Sequence, residues 1–88
     1  MKKYTFIVEF KGGTYISQHK STNLTEALFI WANTLDPNFF TNKIKNQILE
    51  KVNDPDNIPT PIISVENVWS SSYVIARSLL LLNIIETV

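Results

Sequence analysis

Cysteine is missing from this chain, and glycine and histidine are nearly missing: among 88 residues there are two glycines, Gly12 and Gly13, and a single histidine, His19. Without cysteine there are no disulfides, no thiolate nucleophile and no cysteine-ligated zinc or iron–sulfur centre, which fits a reducing cytoplasm. An excess of either charge is also lacking. Eight Lys and Arg balance eight Asp and Glu, with a pI near 6.5, so the broad electrostatic attraction to nucleic acids and anionic membranes is absent. Nor is there a long apolar run. The richest stretch, SLLLLNIIETV at residues 78–88, contains Asn83 and Glu86 and is about half the roughly 20 residues a membrane helix needs. Met1-Lys2-Lys3 opens like a signal sequence, but Glu9 breaks the apolar stretch behind it and no small-residue cleavage site follows. The expectation is a cytoplasmic protein without membrane association. An abundance of Asn, Ile and Lys suggests an AT-rich genome of the bacterial or phage kind.

The material for folding is present. Hydrophobic residues make up 44% of the chain and charged residues 18%, enough apolar surface for one core without staples. Area scaling puts about 60–65% of the extended-chain surface inside on folding, and no internal repeat divides the sequence. Residues 1–88 read as one domain.

In YTFIVEF, Tyr4, Phe6, Val8 and Phe10 alternate with Thr5, Ile7 and Glu9, the period of a strand with one buried face. Gly12-Gly13 accommodates the positive φ angles of a hairpin turn, and TYISQHK supplies a second strand. A loop of Gly12-Gly13 alone sets Phe10 opposite Tyr15, Val8 opposite Ser17 and Phe6 opposite His19, leaving Ile7 and Ile16 on the outer face. A three-residue loop with a bulge turns the second strand over instead. The sequence does not choose between them.

Asn23 with Glu26 three positions later has the form of a capping box, so a helix begins near Leu24. Its apolar stripe is Leu24, Ala27, Leu28, Trp31 and Leu35, and Asp36-Pro37 ends it. Phe29 and Ile30 lie off that stripe. A second helix, capped by Asp36, Asn38 or Thr41, carries Phe40, Ile44, Ile48 and Val52 beside Leu49. The proline-rich DPDNIPTP forms a surface loop over residues 54–61, and a strand is expected from about Ile62 to Trp69. Ser70-Ser71-Ser72 reads equally as turn, bulge or cap. The apolar end fits helix or strand by periodicity, and its β-branched residues favour strand. The expected fold class is α+β: a ββααββ two-layer sandwich, its four-stranded, mainly antiparallel sheet carrying two helices on one face.

Chemistry is hard to find. His19 sits among Gln18 and Lys20 with no glycine-flanked serine to activate, and its usual role in such a place is structural, by about nine to one. No paired spacing of ligands suggests a metal site. Lys11-Gly12-Gly13-Thr14 lacks the spacing of a phosphate loop and joins two strands, so a turn is favoured about twenty to one. Glu9-Phe10-Lys11 has the E-x-K form of some nuclease sites, but Pro55-Asp56 follows it instead of preceding it. Lys43, Lys45 and Lys51 scatter around their helix. The aromatic residues Tyr4, Phe6, Phe10 and Tyr15 have a base-stacking reading, outweighed about four to one by the core.

Strand, turn, strand and a capped helix containing Thr25-Glu26-Ala27-Leu28 resembles the opening of HicB-type antitoxins, small bacterial proteins that block an RNA-cleaving toxin. The likeness spans the first third of the chain. The additional strand and proline-glycine segment of that family are absent and the two-helix middle departs from it, so the chain is not assigned to it. No enzyme activity, cofactor or metal is expected. What remains is apolar surface at Phe29, Ile30, Ile7 and Ile16, the candidates for contact with a protein partner or a second copy. The functional expectation is a non-catalytic binding module, an immunity or antitoxin-like inhibitor acting by steric occlusion. An RNA-binding regulator or a self-associating domain is the alternative.

Overall fold

A computed structural model describes residues 1–87. The fold is α+β: β1 (Lys2–Phe10), β2 (Gly13–Ser21), α1 (Leu24–Asn33), α2 (Asn42–Asn53), β3 (Thr60–Pro61), β4 (Val68–Ile75) and β5 (Ser78–Thr87). The strands form one antiparallel sheet in the order β2-β1-β5-β4-β3. Five strands stand where four were expected, because β3 adds a two-residue rung at the edge of β4. The apolar tail becomes β5 in the centre of the sheet, held on either side by β1 and β4.

The alternation of β1 determines its orientation: Tyr4, Phe6, Val8 and Phe10 are buried under the helices while Glu9 faces solvent. Leu80, Leu82 and Ile84 of β5 and Tyr73 and Ile75 of β4 extend the same layer, and Ala27, Leu28, Trp31, Ile48 and Val52 close it from the helical side. Phe6 stacks on Trp31 with ring centroids 5.6 Å apart, tying β1 to α1. Asn23 caps α1 through its side-chain oxygen, which accepts the Glu26 amide at 2.8 Å. The Glu26 carboxylate accepts a bond from the Thr22 hydroxyl at 2.7 Å. Of the three capping candidates for α2, Thr41 takes the position, while Asp36 organises the separate turn before it by accepting the Asn38 amide.

Three expectations are corrected. The first hairpin turns on Lys11-Gly12, both at positive φ (48° and 80°), which places Phe10 opposite Gly13, Val8 opposite Tyr15 and Phe6 opposite Ser17. The register moves by two residues from that of a Gly12-Gly13 loop. Because the side-chain period is also two, every residue keeps its face. Second, Ile62–Asn67 is not strand. Ser64 and Asn67 adopt positive φ (66° and 63°), which interrupts regular pairing, and the Val65 amide closes a turn onto the Ile62 carbonyl at 3.3 Å. Third, Ser70-Ser71-Ser72 is the middle of β4, paired with Asn83, Leu82 and Leu81. The serines carry no strand signal of their own, and the apolar β5 alongside supplies the pairing.

Candidate docking groove

Both helices cover the inner face of the sheet, but their cover thins at the β2 edge. Tyr15, Ser17 and His19 point to the helical side and remain half-buried, whereas their counterparts on β1 are sealed. The space left between β2, the C-terminal end of α1 and the 36–40 turn is a groove of about 570 Å³, within the range of ligand and side-chain pockets. Its largest lining side chains are aromatic: Tyr15, Trp31, Phe39 and Phe40. The Tyr15 ring lies 5.2 Å from that of Phe39 and 5.0 Å from that of Phe40, which stacks in turn on Phe10 at 6.1 Å. This chain of rings runs from the core to the surface, where Phe39 is 58% exposed.

Gly13 makes this arrangement fit. Its φ is not positive, yet a Cβ there would come within 2.7 Å of Tyr15 Cζ, because residues i and i+2 of a strand share a face. The second glycine of the pair thus serves the groove, not the turn.

His19 is part of the same wall. Its ring meets Phe6 edge-on at 5.5 Å, and Nε2 lies 3.0 Å from Ser17 Oγ. Burial pushes the imidazole below its ordinary value, favouring the neutral ring. The pair gives the groove a hydroxyl and an imidazole for hydrogen bonding, and Asp36, also on the lining, already accepts the Asn38 amide. Among the described residues no three of His, Asp and Glu come together as metal ligands, and no helix is long and apolar enough to cross a membrane.

Beside the groove runs an open sheet edge. In the two-residue hairpin, Gly13, Tyr15, Ser17 and His19 exchange hydrogen bonds with β1, so the amides and carbonyls of Thr14, Ile16, Gln18 and Lys20 face outward. Among the described residues no strand pairs with them.

The four residues singled out from the sequence fall on two sides of the molecule. Ile7 and Ile16 are cross-strand partners on the uncovered sheet face, with Ile16 66% exposed at the groove's outer margin. Phe29 and Ile30 belong to the helical layer, Phe29 being partly buried against the core. They form no single patch. On the uncovered face Ile7 and Ile16 are accompanied by Val74, Leu79 and Leu81, all exposed. Sequence reasoning missed Tyr15 and Phe39 as a pair. The adjacent Phe39-Phe40 ahead of a helix cap was the available signal, since two consecutive aromatics cannot both enter one core. Tyr4, Phe6 and Phe10 are in the core and present no stacking platform. Comparison with protein-family models, curated proteins and solved structures finds no match for this chain.

Proposed function

We propose that the protein is a non-catalytic binding module that receives an extended segment of a partner protein along β2. The observation that carries this reading is the coincidence of two features on one strand: outward backbone groups over a nine-residue edge, and an aromatic groove beside it. Strand addition draws affinity from main-chain hydrogen bonds and specificity from pockets that take alternate side chains. Here an added strand lays every second side chain toward Tyr15, Phe39 and the Ser17–His19 pair. A chain of this size acts on its partner by covering it, as an inhibitor of the immunity or antitoxin kind does.

Selection from a library of random ten-residue peptides, followed by amide chemical-shift mapping, tests the reading. Binders with large apolar residues at alternate positions, shifting Thr14, Ile16, Gln18 and Lys20 and weakened at least tenfold by Phe39→Asp, are expected. Binders that map to the uncovered sheet face, or a selection that enriches none, would count against it.

A further inference from the structure

The two edges of the sheet differ in charge and shape in a complementary way. From Lys2 to Ser21 the first hairpin carries Lys2, Lys3, Lys11 and Lys20 against Glu9 alone, whereas from Val52 to Ala76 there are Asp54, Asp56 and Glu66 and no basic residue. Lys11 and Lys20 stand at the two ends of the β2 edge. The acidic stretch surrounds β3 at the opposite edge, about 19 Å away across five strands at the usual spacing.

Apart from the chain-terminal Met1, that far edge bears the most exposed large apolar side chain among the described residues. Ile63 is 90% exposed at the tip of the turn between β3 and β4, with Val65 of the same turn at 52%. The tip has a defined shape: Ile62 donates its amide to the Val68 carbonyl at 3.0 Å, Val65 closes on Ile62, and Ser64 holds positive φ. A preformed apolar projection, with Glu66 in its turn and Asp54 and Asp56 ahead of β3, therefore lies at one edge of the sheet, and at the other an aromatic groove that includes Asp36 in its lining beside a strand with Lys11 and Lys20 at its ends. Pro59 and Pro61 lack amide hydrogens, so this segment enters as a knob more readily than as a pairing strand.

We infer that the groove's occupant is a second copy of this chain: the Ile63 tip of one molecule seats against Tyr15 and Phe39 of the next, with Asp54, Asp56 and Glu66 facing Lys11 and Lys20. The inference rests on the groove being a docking surface, as proposed above, but not on strand addition: the tip uses Tyr15 and Phe39 and leaves the β2 edge unpaired, so a partner's extended segment and a second copy compete for the same rings. The contact is heterologous, using different patches on the two partners, so a joined pair retains one free groove, on one molecule, and one free tip, on the other. Growth into rings or open chains follows, not a closed dimer. Opposite charges at the rim make the association weaken with salt.

Sedimentation of the full chain over a range of concentrations, at low and high salt, reads this directly. Species larger than dimer are expected to grow with concentration and to recede in salt. Ile63→Asp removes the knob and Phe39→Asp the groove; both sites are exposed, so folding is retained, and each variant alone is expected to associate at least tenfold more weakly. Mixed in equal amounts they are expected to form a complex that stops at two molecules, since each contributes the one surface the other has lost. Wild-type protein that stays monomeric at about millimolar concentration, a closed dimer indifferent to Ile63→Asp, or a mixture that recovers no complex would overturn the inference. In any of those cases, peptide binding at Thr14, Ile16 and Gln18 still decides the docking groove separately.

Discussion

The two hairpins of this protein make the same turn from different residues. The first uses Lys11-Gly12, the second Ala76-Arg77, and in both the two loop residues have positive φ (48° and 80°, then 49° and 65°). That is the turn whose twist matches paired antiparallel strands. Glycine occupies it at little steric cost, whereas each L-residue with a Cβ gives up about 1–2 kcal/mol there. The second turn has no glycine to relieve it. It is held from outside: the Gln47 side-chain carbonyl of α2 accepts the Ala76 amide at 2.9 Å. The bend of the first hairpin, though not its register, is thus encoded locally, and the second is imposed by the strands that converge on it and the helix above it.

This difference can be broken at either end. Gly12→Val places a β-branched side chain at φ 80° and is expected to cost about 2 kcal/mol, measured by urea denaturation. Arg77→Gly is expected to act in the opposite direction, stabilising by about 1 kcal/mol as left-handed strain is relieved and the added freedom of the unfolded chain is subtracted. A loss of stability on that change would show that the second turn is not strained. Gln47→Ala should cost about 0.5–1 kcal/mol and speed hydrogen exchange at Ala76 without disturbing Gly13. Equal effects at both turns would refute the assignment of tertiary support to one of them.

Acid separates the hairpins in another way. Burial holds the folded His19 below its ordinary value, so the unfolded chain binds the proton more readily. The stability contributed by His19 is complete above the unfolded value of about 6.5 and is lost as pH falls through it toward the folded value. Relative to the slower intrinsic exchange in acid, amides of β2 are expected to lose protection on acidification, those of β5 much less, and His19→Asn should flatten the slope. The smallest effect is expected at Tyr73, whose buried hydroxyl has no hydrogen-bond partner among the described residues. Tyr73→Phe should lie within about 0.5 kcal/mol of the parent or exceed it in stability.

The same contrast explains which parts could be read in advance. β1 and α1 were legible because their periodicity is strong and their boundaries carry local signals, a glycine turn and the Asn23 cap. The strand expected from Ile62 to Trp69 holds only at Val68 and Trp69, because β-branched residues suit a tight apolar turn as well as a ladder, and Pro61 and Ser64 give too little indication of where pairing stops. Ser70–Ser72 was ambiguous for the converse reason, a strand interior without strand-forming residues. In the groove, Tyr15 alternated with Ile16 and was assigned to the helical side of the sheet. That this side stays half open at β2 depends on how far α1 and the 36–40 turn reach, which no local pattern records.

The sequence by itself determined one apolar core, its alternating and helical faces, and the capped start of α1, because each follows from the covalent order of side chains and the repeat of the backbone. Tertiary structure decided the register of the first hairpin, the extent of β4, the Ala76-Arg77 turn and the uncovered rings of Tyr15 and Phe39. Those features depend on which surfaces are left to meet once the core has closed.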